Sequence, residues 1–111
     1  MINPEQLFKS LADETRLKLS LLIFQQGELC VCELVEALAE SQPKISRHLA
    51  LLRSSHILVD ERREQWVYYA LNPSLPEWAL AILSQTCEAY TKELSRLTRQ
   101  LKAMKNRPLC C

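Results

Sequence analysis

Between residues 31 and 53 two apolar-periodic segments flank a stretch that cannot continue a helix, and this break limits what the chain can fold into. Val31, Leu34, Val35 and Leu38 stand at i, i+3, i+4 and i+7, so residues of about 31–39 form a helix with one buried face. Ser41 or Gln42 is placed to cap the next helix. Pro43 falls in its first turn, where a missing N–H costs nothing. Ile45, Leu49 and Leu52 give that second helix its buried side. Two short helices joined so tightly form a helix-turn-helix.

The flanking segments extend the pattern. Residues 4–11 read as a short helix, with Leu7, Phe8 and Leu11 at helical spacing. Asp13 caps a longer one that runs to about Gln26, with Leu17, Leu21 and Phe24 as its apolar stripe and Gly27 as its stop. After the helix-turn-helix, Ile57-Leu58-Val59 and Trp66-Val67-Tyr68-Tyr69-Ala70-Leu71 flank a charged turn, Arg62-Arg63-Glu64-Gln65, and read as a β-hairpin. No glycine relieves that turn. The aromatic residues of the second strand are explained by packing. Pro73 and Pro76 precede a final helix whose apolar positions, Leu80, Leu83, Cys87, Tyr90, Leu94, Leu97, Leu101 and Met104, alternate spacings of three and four. Such a heptad seam predicts a dimer interface, joined by the N-terminal helix. The expectation is one mainly α domain over 1–111 with a β-hairpin wing: a winged helix-turn-helix, homodimeric, with its recognition helix at 41–53, its wing at 57–71 and its dimerisation helix at 76–104.

Net charge is only +1, but its distribution is uneven. Residues 1–40 carry −4, residues 41–63 carry +3 and residues 64–111 carry +2. Positive charge therefore concentrates on the recognition helix and wing, as a DNA-facing surface requires. The exposed side of the fourth helix offers Gln42, Lys44, Ser46, Arg47 and His48. Gln and Arg make paired hydrogen bonds to base edges, and Lys and Ser suit phosphate. Arg62 and Arg63 at the wing turn suit the minor groove or the backbone. The implied partner is double-stranded operator DNA carrying an imperfect inverted repeat, matched to a two-fold dimer. His56 reads as a packed turn residue.

Five cysteines occur, Cys30, Cys32, Cys87, Cys110 and Cys111, an odd and irregular set that does not resemble a secreted disulfide framework. No stretch approaches the about 18 apolar residues of a membrane span. The first residues lack the features of a signal peptide. A cytoplasmic protein without membrane association is expected. Its reduced thiols are ligands for soft ions. Cys30-Val31-Cys32 is the leading pair. Side chains at i and i+2 diverge on a helix and share a side on an extended chain, so one ion is gripped by both thiols only where the backbone is not helical. Cys87 fits the heptad seam and reads first as core. Cys110 and Cys111 are possible further ligands. No phosphate loop, nucleophile elbow or H-E-x-x-H is present, so an enzyme reading finds no support.

Three segments carry a resemblance: Leu11-Ala12-Asp13-Glu14-Thr15-Arg16-Leu17; Gly27-Glu28-Leu29-Cys30-Val31-Cys32-Glu33-Leu34; and Ser41-Gln42-Pro43-Lys44-Ile45-Ser46-Arg47-His48-Leu49 running on to Arg53. With Trp66-Val67-Tyr68-Tyr69 they cover most of residues 7–80 and resemble the arsenical-resistance repressors of the ArsR/SmtB family. The resemblance implies a homodimeric transcriptional repressor with no resident cofactor. It also implies that trivalent arsenic or antimony, as arsenite or antimonite, binds Cys30 and Cys32 and releases the repressor from DNA. Relatives in this branch often carry a third cysteine where this chain has Val35. The alternative is a repressor of the same fold that senses methylated trivalent arsenic (methylarsenite) or thiol oxidation through Cys87, through Cys110 and Cys111, or through both. The histidine ligands of zinc-sensing relatives are missing from residues 83–100.

Overall fold

The computed structural model describes residues 2–104. In chain order these form α1 (Pro4–Leu11), α2 (Glu14–Gln26), β1 (Glu28–Cys30), α3 (Val31–Leu38), α4 (Gln42–Ser54), β2 (Leu58–Arg63), β3 (Trp66–Leu71), α5 (Glu77–Ala89) and α6 (Thr91–Lys102). The fold is a winged helix-turn-helix in which α3 and α4 are the two helices and β2–β3 is the wing.

Local chemistry sets the helix starts. Asn3 Oδ1 accepts from the Gln6 N–H at 2.8 Å while Gln6 Oε1 accepts from the Asn3 N–H at 3.1 Å, a reciprocal cap on α1. Asp13 Oδ2 accepts from the Arg16 N–H at 3.1 Å and starts α2. Ser41 Oγ accepts from the Lys44 N–H at 3.4 Å and starts α4, as the sequence anticipates. The core gathers around α2, whose Leu19, Leu21, Leu22 and Ile23 are fully buried because α1, α4, α5 and α6 all pack on it. The stripe expected from periodicity is only partly realised: Leu17 and Phe24 are half-buried. Phe8 of α1, expected to pack, is 55% exposed.

Two features depart from the sequence reading, and a third, the glycine-free hairpin, agrees with it. Glu28-Leu29-Cys30 forms a third strand, antiparallel to β3, with Glu28 opposite Ala70, Leu29 opposite Tyr69 and Cys30 opposite Tyr68. The sheet order is β1-β3-β2, so the wing is tied at its root to the strand that leads into α3. The hairpin turns without glycine because Glu64 adopts the left-handed region at φ 58°. The single helix expected over 76–104 is divided at Tyr90. There the Tyr90 N–H meets the Thr86 and Cys87 carbonyls, and Thr91 Oγ1 donates to the Glu88 carbonyl at 2.7 Å. The chain bends there, and Leu94, Leu97 and Leu101 of α6 are buried where it packs on α2 and α3 of the same protomer. Much of the heptad seam is therefore internal core. Among the described residues no helix is long and apolar enough to cross a membrane.

Candidate functional site

Cys30 is both the last residue of β1 and the N-cap of α3, in extended backbone at φ −86° and ψ 167°. Cys32 lies in the first turn of the helix. Because Cys30 stands outside the helix, the divergence that regular helix geometry imposes on i and i+2 does not apply. The two sulfurs lie 3.8 Å apart. Bonds of about 2.3 Å from a common ion set two thiolates about 3.3–3.8 Å apart, for angles between 90° and 110°. The pair is already near that spacing, so no unwinding of α3 is needed to bring the sulfurs together.

The surroundings fix the pair in place. The Cys30 N–H donates to Glu33 Oε1 at 2.9 Å, and Glu33 is itself buried. Cys30 is fully buried and Cys32 half-buried, so the pair is reached from the Cys32 side. A cavity of about 320 Å³ adjoins Cys32 and is lined by Val31 and Val35 of α3, Gln42 of α4, and Trp66 and Val67 of the wing. Val31 and Val35, expected to be buried against the recognition helix, form part of this wall instead.

Cys87 is a different kind of thiol. It is buried in α5, 4.0 Å from the Leu21 carbonyl oxygen, and burial pushes its pKa up. Among the described residues no group of three or more His, Cys, Asp or Glu side chains is arranged to hold a metal. Cys87 is therefore not gathered with Cys30 and Cys32. Cys110 and Cys111 lie outside the described residues.

The outer surface of α4 carries Gln42 and Arg47 exposed and Lys44 and Ser46 half-buried. Gln42 Nε2 donates to Ser46 Oγ at 2.6 Å, and Lys44 Nζ pairs with Glu40 at 3.2 Å. His48 does not belong to that surface. It is 8% exposed and turns inward, where Arg16 Nη1 lies 3.3 Å and Asp13 Oδ2 3.8 Å from its Nδ1. Desolvation, with the nearby cations adding to it, lowers its pKa from 6.5 despite the opposing pull of Asp13. The spacing gives the reason: His48 falls between Ile45 and Leu52 on the buried stripe, three residues from the first and four from the second. Expected on the DNA-facing side, His48 lies inward in the structure.

The two wing arginines also separate. Arg62 ion-pairs with no described residue. Arg63 makes a two-pronged bridge to Glu28, at 2.7 and 2.8 Å, and its Nε meets Glu61 as well. Its guanidinium lies 4.7 Å from the centroid of the Tyr68 ring. The two carboxylates raise the Arg63 pKa still further, and the guanidinium in turn lowers that of Glu28. No local pattern marks this bridge, since Glu28 lies 35 residues away. Arg53, on the last turn of α4, bridges Asp60 of β2 at 3.1 Å and ties the recognition helix to the wing.

Such an arrangement defines a class: a winged-helix DNA-binding regulator with a thiol pair at the base of its helix-turn-helix. Residues 13–58 match the family model described as bacterial regulatory protein, arsR family. The chain is 54% identical to the arsenic resistance transcriptional regulator ArsR2 of Pseudomonas putida, over the whole of both chains. It is 51% identical to the arsenical resistance operon repressor of Escherichia coli, over 88% of this chain and 84% of that one. Among solved structures, HlyU from Vibrio cholerae superposes with a TM-score of 0.69 at 31% identity, over 78% of this chain and 90% of that one. The antimony-specific transcriptional repressor AntR superposes with a TM-score of 0.65 at 28% identity, over 78% of this chain and 75% of that one. The protein belongs to the ArsR family and is a DNA-binding transcriptional regulator, not an enzyme.

Proposed function

We propose that this protein is a homodimeric repressor of arsenical-resistance genes, released from its operator when trivalent arsenic or antimony binds Cys30 and Cys32. The observation that carries the reading is the pair of sulfurs 3.8 Å apart at the joint between β1 and α3. Arsenic(III) and antimony(III) are soft and prefer thiolate to nitrogen or oxygen. The relatives named for arsenic resistance and the antimony-specific structural neighbour support the same inducers.

Without metalloid, α4 enters the major groove, with Gln42 and Arg47 at base edges and Lys44 and Ser46 at phosphates. Arg62 at the wing contacts the backbone. The dimer presents two such helices to an imperfect inverted repeat. The exposed apolar side chains Phe8 of α1 and Trp78 of α5 support an interface along those two helices, in place of the buried half of the heptad seam. Metalloid binding clamps the N-cap of α3 to its first turn. It fixes the angle at which α3 leaves β1, and α3 packs directly on α4. Small rotations, doubled by the two-fold axis, spoil simultaneous docking. An inducer that binds the free form about 100-fold more tightly than the DNA-bound form supplies about 2.7 kcal/mol per site.

The test is operator release followed by fluorescence anisotropy. A Cys30→Ser/Cys32→Ser protein is expected to bind operator as the parent does and to ignore arsenite and antimonite. Release of that double variant at the parent's arsenite concentration would place the sensor elsewhere.

A further inference from the structure

Arg63 is built into the protein in a way that its neighbour Arg62 is not. From the outer strand β2 it reaches over the Tyr68 ring of the central strand and grips Glu28 of β1 with both prongs of its guanidinium. Glu61, opposite Tyr68 in the register, holds the same guanidinium through Nε. One side chain thus straps all three strands together. A fork-on-fork pair of this kind is specific in direction as well as charge. With two carboxylates already on it, Arg63 offers little net charge to a phosphate.

The strap ends close to the thiols. Glu28 opens the three-residue strand that Cys30 closes, and Tyr68, under the guanidinium, is the register partner of Cys30. A ligand that fixes both sulfurs fixes the end of β1. Because β1 is so short, a shift at Cys30 is carried to Glu28 almost undiminished. A two-pronged pair cannot slip by about 1 Å without losing one of its hydrogen bonds, given how steeply they weaken with distance and angle. The wing must then follow β1, or the strap must break; either resets the wing against DNA.

We infer that the Glu28–Arg63 strap, seated on Tyr68, carries the state of the Cys30–Cys32 pair to the wing, and that Arg63 is a positioning residue rather than a DNA contact. This rests on the reading of that pair as the inducer site. It differs from a merely structural tie in what it predicts: loss of coupling without loss of either binding event.

The test compares the parent with Glu28→Gln, Arg63→Ala and Arg62→Ala. Operator affinity is measured with and without saturating antimonite, over a range of salt concentrations. Antimonite binding to the free protein is followed by the thiolate–metalloid absorption. Glu28→Gln and Arg63→Ala should hold operator within threefold of the parent, with the parent's salt slope and unchanged antimonite affinity. Their antimonite-induced loss of operator affinity should shrink about tenfold, and a protein carrying both Glu28→Gln and Arg63→Ala should be no worse than either. Arg62→Ala should instead weaken operator binding and flatten the salt slope by about one. An undiminished antimonite response in Glu28→Gln would overturn the inference. So would an Arg63→Ala protein that flattens the salt slope as Arg62→Ala does. If the Cys30→Ser/Cys32→Ser protein keeps the parent's antimonite response, the inducer site itself is misread and the strap falls with it, a result the Glu28→Gln data alone would not produce.

Discussion

The joint at Cys30, where β1 passes into α3, and the joint at Tyr90, where α5 passes into α6, each place a thiol within a turn of a change in chain direction. At the first, two sulfurs lie 3.8 Å apart beside a cavity, and the capping carboxylate of Glu33 holds the backbone of Cys30. At the second, Cys87 is buried alone against a carbonyl, and burial holds its thiol protonated. The carbonyls around that bend are taken up by Tyr90 and Thr91, and the following leucines close over the core. The same residue type is thus poised for a soft ion in one place and packed in the other. What separates them is a strand-to-helix transition that turns two side chains the same way.

The largest expected effect lies at the second joint. Leu97 is fully buried where α6 covers α2 and α3. Leu97→Ala should cost about 2–5 kcal/mol of stability. In urea unfolding the midpoint should fall markedly, while antimonite stoichiometry at the first joint stays as in the parent. A nearly unchanged midpoint would mean that α6 is not part of the core. Arg47→Ala comes next: an exposed arginine that reads a base should cost about 1–3 kcal/mol of operator affinity. Equal anisotropy titrations for variant and parent would remove Arg47 from the interface.

A pH effect distinguishes the recognition helix from the rest of the molecule. His48 is held neutral in the fold, with its pKa below the ordinary 6.5. As pH falls through 6.5 the unfolded chain takes up a proton that the folded one refuses. Stability should therefore decline below about pH 6.5 and level off once folded His48 is also protonated. His48→Gln should flatten this part of the stability–pH curve. A decline of equal size in the variant would assign it to another group.

The smallest effect contrasts two helix ends. Ala39 closes α3 in the left-handed region at φ 55°, where a β-carbon is strained. Tyr90 closes α5 at φ −109° and has no such strain. Ala39→Gly should stabilise by about 1 kcal/mol at most, since the relief of strain is offset in part by backbone entropy. Tyr90→Gly should destabilise. Like signs for the two substitutions in thermal unfolding would contradict this account of the two ends.

These contrasts also mark what the amino-acid sequence discloses. The break between α3 and α4 was legible because Ser41 and Pro43 announce it. The break at Tyr90 was not, because no glycine or proline marks it and the heptad spacing runs unbroken across it. Three residues are too few for alternation to reveal β1, yet that strand is what turns Cys30 out of the helix and brings its sulfur to that of Cys32. The inward turn of His48 was readable from its distance to Ile45 and Leu52 and was outweighed by its polar neighbours. The Arg63–Glu28 bridge, spanning 35 residues, belongs to tertiary structure alone.

The central claim is that Cys30 and Cys32 make the inducer site. It is tested most directly by leaving them as the only thiols, in a protein carrying Cys87→Ala, Cys110→Ser and Cys111→Ser. Operator release by arsenite is then read by fluorescence anisotropy. The account predicts release at arsenite concentrations within about threefold of the parent's, a difference of under about 1 kcal/mol. A variant that holds operator normally and is not released would show that the two thiols are insufficient and would contradict the claim.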